Sequence, residues 1–510
     1  MNLFEALERN ARYQPDKTAI IFNESVYTYK EYNEQVNRIA NALISYGVKR
    51  GDKIALMMKN SDLFCFIYYG ILKAGGVAVP VNFRLTAKEA SYILDDSDSI
   101  IVFADEDLAE VVHKASEGND KIQFQVIAGS NKRENQIQLS AFQSSVVENP
   151  EREVFESDDA EILYTSGTTG LPKGVVLDHH RVIHVALGII ITFKMGPEDQ
   201  LLHIAPLFHC AQLNLFLVPG SILGCTQIVR QEFNPVQTLK DIDQYKISLF
   251  FGVPTMYNFL LQVPNREQFD LSSVKRCGYG AAPMPTALLK QAMEMFQTDQ
   301  FYNMCGQTEG GPGGVYLLPE EHKTKFGTSG RASYGTDAKV VDENGEDVKP
   351  GEVGEFIIKC ENVMKGYYKK PEETAKVLRN GWLYTGDLAK IDEDGYITLV
   401  DRKKDMIISG GENVYSTEVE HVLYKHPDIL EAAVIGVPHE VWGETVAAVI
   451  VLKEGKQMNQ EKLQQFCREE LAGYKIPRII YQINQLPRNT SGKVLKYQLR
   501  ENYKTVASQH

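Results

Sequence analysis

The chain reads Tyr164-Thr-Ser-Gly-Thr-Thr-Gly-Leu-Pro-Lys-Gly-Val175 directly after an apolar run from Ala160 to Leu163. Its glycines permit backbone conformations in which successive N–H groups point into one concavity. Hydroxyl side chains and the ammonium group of Lys173 add donors and positive charge. The stretch therefore predicts a strand followed by a phosphate-binding loop. It is not a Walker A sequence, because Gly174 follows the lysine where serine or threonine would be required.

Length and composition limit the class of protein. A chain of 510 residues exceeds one ordinary core, so we expect two or more domains. The apolar fraction of 43% and charged fraction of 24% are typical of a soluble globular protein. A net charge of -13 argues against non-specific binding to nucleic acid or anionic lipid. The seven cysteines lack a C-x-x-C pair, which excludes an obvious zinc site or disulfide framework and favours a reducing cytoplasm.

No integral membrane segment is expected. The first residues lack a basic start and an apolar core, and the longest apolar-rich patch, His184 to Phe193, is too short to span a bilayer. A peripheral membrane contact stays open, although no polybasic amphipathic helix supports one. The sequence does not indicate an oligomeric state.

Apolar spacing predicts an α/β fold with doubly wound parallel sheets. Thr28 and Glu31 form a capping box, and helical spacing continues to a stop at Gly47. A strand from Lys53 to Met58, a helix from Asp62 to Ala74 and a strand from Val77 to Val81 then form a βαβ unit. The same alternation recurs in four further segments, at 99–103, 162–165, 246–251 and 274–280.

The pattern changes after Gly351, where short alternating strands separated by Asp-Glu-Asn-Gly and Asp-Glu-Asp-Gly turns predict a small β-rich subdomain. The polar run Asp401-Arg-Lys-Lys-Asp405 separates it from a compact α+β tail. We place the boundary at Lys404, which gives an N-terminal domain over 1–403 and a C-terminal domain over 404–510.

Five further motifs accompany the loop. They are Gly278-Tyr-Gly-Ala-Ala-Pro-Met-Pro285, Tyr302-Asn-Met-Cys-Gly-Gln-Thr-Glu309, Trp382-Leu-Tyr-Thr-Gly-Asp387 with Arg402, Asp401-Arg-Lys-Lys-Asp-Met-Ile-Ile-Ser-Gly-Gly-Glu-Asn413, and Pro487-Arg-Asn-Thr-Ser-Gly-Lys-Val494. Taken singly, several would be ordinary turns or solvated side chains. In this order they resemble the AMP-forming acyl-CoA synthetases of the adenylate-forming superfamily, from about Thr28 to Val494. Fatty acyl-CoA synthetases are the most similar branch.

The resemblance implies a large N-terminal adenylation domain and a small, mobile C-terminal lid. It also implies ATP and CoA as co-substrates and Mg²⁺ as cofactor, with Glu309 and Thr165 as metal ligands. The amide of Asn303 would bind adenine, whereas Cys305 departs from the aromatic that usually stacks on that base. The implied ATP- and AMP-binding residues are Thr165, Ser166, Gly167, Thr168, Thr169, Gly170, Lys173, Gly280, Ala281, Ala282, Asn303, Met304, Cys305, Gly306, Gln307, Thr308, Asp387 and Arg402.

The same resemblance assigns roles to the tail. Lys493 would be the catalytic cation that stabilises charge at the α-phosphate, together with Thr165, Glu309 and His209 in the catalytic set. Lys404 would be the hinge, and Gly410, Gly411 and Glu412 would line the channel for the CoA thiol. Asp387 and Arg402 would bind the ribose hydroxyls.

The sequence defines the acid substrate less closely than the reaction type. His209 stands where amino-acid-activating relatives carry an aspartate, so a buried α-ammonium group would lack a counter-charge. Gly306 replaces the tryptophan of acetate-specific relatives and would leave room for a longer acid. The implied acyl pocket residues are His209, Cys210, Tyr279, Gly280 and Gly306.

We interpret the chain as an acid–CoA ligase for medium- or long-chain fatty acids. An aryl- or cinnamoyl-type CoA ligase, for ferulate, coumarate or benzoate, is the alternative, followed by acyl transfer to a carrier protein. A catalytically silent acyl- or nucleotide-binding sensor also stays open. The presence of both Lys493 and Glu309 argues against the sensor.

Overall fold

The computed structural model describes residues 1–130, 133, 135–165, 171–282, 284–488 and 494–503. Two compact units are present. The first contains Met1–Thr165, Pro172–Ala338 and Ile358–Leu383, and the second contains Lys339–Ile357 and the chain from Tyr384 onward. The hinge at Lys404 and the boundary drawn there concern motion between domains and stay predictions.

The helices begin and end largely where the sequence signals fall. For the second helix, the Thr28 hydroxyl accepts from the Glu31 N–H at 3.2 Å, and the Glu31 carboxylate accepts from the Thr28 N–H at 2.8 Å. This confirms the predicted capping box, and Gly47 takes the left-handed conformation at φ 87°. The α-helices are α1 Leu3–Tyr13, α2 Tyr29–Ser45, α3 Asp62–Lys73, α4 Ala87–Asp96, α5 Ala109–Ser116, α6 Leu139–Phe142, α7 His179–Thr192, α8 Cys210–Gln212, α9 Val218–Leu223, α10 Pro235–Tyr245, α11 Pro254–Leu261, α12 Thr286–Phe296, α13 Pro371–Val377, α14 Ser416–Tyr424, α15 Gln460–Arg468 and α16 Lys496–Tyr503.

Short helices of other types complete the set. A π-helix, Leu213–Leu217, lies between α8 and α9. The 3₁₀ turns are Glu106–Leu108, Arg266–Gln268, Thr308–Gly310, Pro319–Lys323 and Gly473–Lys475. None of the helices formed by the described residues has the length and apolar character that crossing a membrane requires.

The strands confirm the expected α/β class. They are β1 Thr18–Phe22, β2 Ser25–Thr28, β3 Lys53–Met57, β4 Val77–Pro80, β5 Ser99–Asp105, β6 Phe124–Ala128, β7 Ile137–Gln138, β8 Asp159–Thr165, β9 Lys173–Asp178, β10 Gln200–His203, β11 Thr226–Val229, β12 Leu249–Gly252, β13 Arg276–Gly280, β14 Phe301–Gly306, β15 Gly314–Leu317, β16 Arg331–Ala332, β17 Thr336–Val341, β18 Val353–Cys360, β19 Gly366–Tyr367, β20 Leu378–Arg379, β21 Trp382–Ile391, β22 Ile397–Arg402, β23 Ile407–Ser409, β24 Glu412–Val414, β25 Ile429–His439, β26 Gly443–Leu452 and β27 Ile479–Gln482.

One sheet of the first unit carries the predicted βαβ unit. Its strand order is β19-β9-β8-β4-β3-β5-β6-β7, and β3 pairs with β4 in parallel, with Lys53 opposite Val77. The strand before the phosphate loop, β8, is parallel to β4 but antiparallel to β9. The loop therefore connects two neighbouring antiparallel strands, whereas the sequence suggested continued parallel winding.

The second sheet of this unit runs β16-β15-β14-β13-β12-β10-β11-β1-β2, with parallel strands at its centre. In the pairing of β13 with β14, Tyr279 lies opposite Asn303 and Gly280 opposite Met304. Because successive side chains point to opposite faces, Tyr279 and Asn303 share one face while Gly280 and Met304 share the other. This register divides the candidate nucleotide residues and the candidate acid residues between the two faces of the sheet.

Two further sheets follow. The predicted β-rich subdomain forms a sheet with order β17-β18-β21-β20, in which β22 also pairs with β21. In the tail, strands in the order β24-β23-β26-β25, with β27 beside β26, pack against α14 and α15. The apolar side chains between sheet and helices are almost fully buried, and each such burial stabilises a fold by roughly 1.5–3 kcal/mol. The expected small α+β domain is confirmed.

Candidate active site

The two ends of the predicted phosphate loop lie side by side. Thr165, the last residue of β8, is the antiparallel partner of Lys173, the first residue of β9. Ser166, Gly167, Thr168, Thr169 and Gly170 lie outside the described residues. The Lys173 ammonium group is 2.7 Å from a carboxylate oxygen of Glu373 and 4.8 Å from the ring centre of Tyr367. Both partners reach the loop from the 366–377 segment, which the sequence motifs did not include.

Tyr367 also contacts the predicted metal ligand. Its hydroxyl donates to Oε1 of Glu309 at 2.9 Å, and the backbone N–H of Met364 donates to the Glu309 carbonyl at 2.9 Å. One tyrosine therefore touches both Lys173 and Glu309. It belongs to the run Gly366-Tyr-Tyr-Lys-Lys-Pro-Glu-Glu373, which has no sequence period that would reveal either contact.

The residues near this point fit a magnesium ion. Glu309 is half-buried on a 3₁₀ turn and would supply carboxylate oxygen, and the half-buried Thr165 would supply a hydroxyl. Magnesium takes one or two protein oxygens and completes its shell with phosphate and water. The described part of the chain holds no group of three or more His, Cys, Asp or Glu arranged for a metal. Bound there with ATP, the ion would neutralise phosphate charge.

The segment predicted to lie against adenine is held in a tight backbone geometry. A Cβ at Gly280 would lie 2.3 Å from the Met304 carbonyl oxygen, so only glycine fits this approach. Ala281 has φ 65°. For a residue with a Cβ this conformation costs roughly 1–2 kcal/mol, a strain that functional sites often carry. Ala282 is exposed beside it.

On the next strand, the amide nitrogen of Asn303 donates to the Thr328 carbonyl at 3.3 Å. Its Oδ1 is then the atom that could accept from an adenine amino group. Cys305 is half-buried on the same face, and Met304 is buried on the other. Gln307 is half-buried and leads into the 3₁₀ turn of Thr308 and Glu309.

Glycine is needed at position 306 for a structural reason that the sequence did not reveal. A Cβ there would lie 2.3 Å from the Pro312 carbonyl oxygen and 2.8 Å from that of Gly313. The glycine is therefore required by the turn that joins β14 to β15. A larger side chain would first have to move this backbone, so pocket length is not the only property that Gly306 sets.

His209 is held in one hydrogen-bonding state. It caps α8, and its Nδ1 accepts the Ala211 N–H at 3.2 Å. Burial lowers the pKa of the imidazole below its usual value, so the ring is neutral near pH 7. With Nδ1 occupied as an acceptor, the proton resides on Nε2, which can donate to a carboxylate. The neighbouring Cys210 Sγ is 3.3 Å from the Thr308 hydroxyl, next to Glu309.

Aromatic rings cluster on the Gly280 face of the sheet. Phe193 stacks on Tyr302 at 4.2 Å and Phe216 stacks on Phe251 at 5.5 Å between ring centres. A Cβ at Gly278 would lie 3.2 to 3.4 Å from the rings of Phe216, Phe251 and Phe193, so this glycine admits them. We call the four rings of Phe193, Phe216, Phe251 and Tyr302 the aromatic cluster.

Tyr279 does not belong to this cluster. Its side chain is buried on the opposite face, where its hydroxyl is 2.9 Å from Nε2 of His322. The strand alternation that separates Tyr279 from Gly278 and Gly280 is the physical reason. Tyr279 is therefore buried on the Asn303 face, beside His322, and its place in an acyl pocket stays a prediction.

In the second unit, Asp387 and Arg402 are opposite one another on β21 and β22, and their side chains form an ion pair at 2.5 Å. Lys404 is exposed on the turn after β22. Gly410 and Gly411, at φ 62° and 85°, form the turn between β23 and β24, and β24 begins at Glu412. Lys493 lies outside the described residues.

Known families and relatives match this chain over most of its length. A family model described as "AMP-binding enzyme" matches residues 7–368, and one described as "AMP-binding enzyme C-terminal domain" matches 418–493. A feruloyl-CoA synthase of Amycolatopsis sp is 37% identical over 97% of this chain and 98% of its own. The long-chain-fatty-acid–CoA ligase FadD13 of Mycobacterium tuberculosis is 38% identical over 93% of each chain.

Solved structures of CoA ligases and synthetases superpose on this chain over almost its whole length. An anthranilate CoA ligase, AuaEII, in complex with anthranoyl-AMP superposes with a TM-score of 0.91 at 27% identity, covering 100% of this chain and 98% of its own. A Mycobacterium tuberculosis fatty acyl CoA synthetase superposes with a TM-score of 0.80 at 35% identity, covering 99% of each chain. The chain belongs to the AMP-binding enzyme family, among the AMP-forming acyl-CoA synthetases, and is an acid–thiol ligase.

Proposed function

We propose that this ligase joins a medium- or long-chain fatty acid to CoA through an acyl-adenylate. The observation that carries the proposal is the apolar region on the Gly280 face of the β13–β14 sheet. There the aromatic cluster packs with the buried side chains of Val185, Ile189 and Leu215. An apolar acid is stabilised by such surroundings, whereas an α-ammonium group would lack a counter-charge there.

In the first half-reaction, a carboxylate oxygen of the acid attacks the α-phosphorus of ATP, an O–P bond forms, and pyrophosphate leaves. The neutral His209 would donate from Nε2 to the acid and orient it. Lys173 would exchange its Glu373 partner for phosphate oxygens as negative charge develops. Lys493 is proposed as the second cation, on the ground of its motif alone.

In the second half-reaction, the CoA thiolate attacks the acyl carbonyl, a C–S bond forms, and AMP leaves with the electrons of the C–O bond. The glycine turn at Gly410 and Gly411 supports a narrow path for the thiol, since neither residue has a side chain. We propose rotation about Lys404 between the two half-reactions.

An aryl acid is the second candidate. The stacked rings around Gly278 offer flat faces, and offset or edge-to-face contacts between aromatic rings add about 0.5–1.5 kcal/mol beyond burial. The similarity to a feruloyl-CoA synthase and to an anthranilate CoA ligase supports this candidate as well.

The test is pyrophosphate release and thioester formation with acetate, hexanoate, decanoate, palmitate, benzoate and ferulate, each with and without CoA. We expect kcat/KM to be highest for decanoate or palmitate. A maximum for ferulate or benzoate would replace the fatty acid with the aryl acid. Pyrophosphate release with no thioester would indicate transfer to a carrier, and no release with any acid would indicate a sensor.

A further inference from the structure

The first unit contains a buried carboxylate in the strand-forming run before the phosphate loop, a residue to which the motifs assign no role. Glu161 lies on β8, ahead of Thr165 on the same strand, and is fully shielded from solvent. Its Oε2 accepts from the Tyr68 hydroxyl at 3.0 Å, and its Oε1 accepts from the amide nitrogen of Asn214 at 2.6 Å. Across the described chain it forms no ion pair with Lys, Arg or His. Its two hydrogen bonds therefore come from neutral donors. Burying a carboxylate without a counter-charge costs free energy, so a role for Glu161 is expected.

The hydrogen bond to Asn214 indicates a role for Glu161. It lies in the π-helix Leu213–Leu217, a turn that holds one residue more than an α-helical turn and often occurs at functional sites. The amide nitrogen of Asn214 donates to Glu161, whereas its buried Oδ1 has no hydrogen-bond partner among the described residues. The side chain is thus retained as a donor to Glu161, and this bond fixes the π-turn to β8.

The π-turn sets the direction of Phe216. The ring stacks on Phe251 and meets Phe193 edge-on at 5.7 Å, against Gly278. If the segment relaxed to an α-helix, the residues after Asn214 would shift by one position, which rotates them by about 100°. Phe216 would then leave the aromatic cluster while His209, before the turn, kept its place.

We propose that Asn214 and Glu161 are positioning residues for acid specificity, which act by holding the π-turn that presents Phe216 to the acid. This inference rests on the proposed function, because it assumes that the aromatic cluster borders the acid. Neither residue is assigned a contact with the reacting atoms. Their effect is on the shape of the surface that the acid meets.

The experiment compares Asn214→Leu with the unchanged enzyme, measuring kcat/KM for the six acids and KM for ATP. Leucine has a similar size but removes the donor to Glu161. We expect the ratio of kcat/KM between the preferred acid and its least similar competitor to change by about tenfold, the size of effect that pocket shape produces. The KM for ATP should be unchanged.

Two variants serve as controls. Tyr68→Phe removes the other donor to the same carboxylate, from α3 and not from the π-turn, and should leave the ratio within about twofold. Glu161→Gln can still accept from Asn214 and can donate to the Tyr68 oxygen, so it should also preserve the ratio. Glu161→Leu, which cannot accept, should reproduce the effect of Asn214→Leu.

The possible failures are distinguishable. If the unchanged enzyme releases no pyrophosphate with any acid, the proposed function fails. If it is active and Asn214→Leu lowers kcat/KM by the same factor for every acid, the role is merely structural and this inference is overturned. It is also overturned if Tyr68→Phe changes the ratio as strongly as Asn214→Leu does.

Discussion

Two carboxylates of low exposure, one in each unit, are accommodated in different ways. Glu161 in the first unit receives neutral donors only, from Tyr68 and Asn214. Glu420 in the second unit receives the Lys496 ammonium group at 2.7 Å and the Val434 N–H at 2.7 Å. Burial raises the pKa of both, that of Glu161 to about 7. Neutral donors hold a geometry whether or not the carboxyl is ionised, whereas an ion pair depends on its charges.

The charges of the second unit extend beyond that pair. Lys496 also donates to the Ser416 hydroxyl at 2.5 Å, which in turn donates to Asp401 at 2.7 Å. One helical turn later, Arg500 pairs with Asp405 at 2.8 Å. Helix α16 therefore contacts Asp405 directly and Asp401 through Ser416, on either side of Lys404, the predicted hinge. Charges of this kind can exchange partners, which suits a segment that we propose to move.

The largest predicted effect concerns the ion pair between Lys496 and Glu420 in the second unit. Lys496→Met leaves Glu420 and Asp401 shielded from solvent without their cation, and we expect a loss of about 3 kcal/mol in the free energy of unfolding. The measurement is urea unfolding in a Trp382→Phe background. The chain has 2 tryptophans, so Trp442, in the second unit, then reports alone.

Lys425→Met is the matched control for that variant. Lys425 pairs with Glu470 at 2.5 Å in the same unit, but both side chains are at least 40% exposed. Exposed pairs contribute under about 1 kcal/mol. Equal losses for the two variants would show that burial does not distinguish these pairs.

The next effect concerns pH in the first unit. Because the pKa of Glu161 in the folded protein, about 7, lies above its ordinary value of 4.5, the folded state binds the proton more tightly than the unfolded state. Stability from this group is fully present below pH 4.5 and is lost as pH rises through 7. From pH 5 to pH 8 the unchanged protein should lose up to about 3 kcal/mol relative to Glu161→Gln.

Urea unfolding at several pH values measures this difference. Glu31→Gln provides a control, because hydrogen bonds from Thr28 lower the pKa of Glu31, so that it is ionised in both states over this range. Its difference from the unchanged protein should not vary between pH 5 and pH 8. A Glu161→Gln difference that is equally constant would contradict the raised pKa.

A smaller effect tests a neutral donor at a half-buried carboxylate. Tyr367→Phe keeps the ring beside Lys173 but removes the hydroxyl that donates to Glu309. A hydrogen bond to a charged group contributes about 1.5 kcal/mol, so kcat/KM for ATP should fall by roughly tenfold. In the control Tyr368→Phe, the lost bond is to Asp98, and ATP kinetics should be unchanged. The idea fails if both tyrosine variants behave alike.

The smallest effect compares backbone geometry. The predicted thiol channel uses glycine at positive φ, at Gly410 and Gly411, whereas the predicted adenine segment uses Ala281. Ala281→Gly relieves the strain but gains freedom in the unfolded state, which leaves a net stabilisation of about 0.5 kcal/mol. Thermal unfolding measures it, and a lower Tm would show that Ala281 is not strained.

Local signals in the sequence were sufficient for much of the fold. The capping box at Thr28, the β3–α3–β4 unit and the turns of the β-rich subdomain all depend on residues close in sequence, and the structure confirms them. The motifs also indicated the segments that form the candidate site. These patterns work because hydrogen bonding and burial along one element leave a period in the sequence.

Contacts between distant segments were not predictable in this way. Glu373 lies 200 positions after its partner Lys173, and Asn214 lies 53 positions after Glu161. Neither contact produces a periodic pattern in the sequence. The face on which Tyr279 lies depends on strand register, and the need for glycine at position 306 depends on the Pro312 carbonyl across the turn. Such features are set by tertiary packing.

Cys210, beside His209, has a consequence for the enzyme's own chemistry. Burial raises the pKa of its thiol to about 12, so at neutral pH almost none of it is thiolate. Thiolates, and not thiols, are the nucleophiles that attack activated carbonyls. In the proposed function, where the acid lies beside His209, a protonated Cys210 would not compete with the thiol of CoA for the acyl-adenylate.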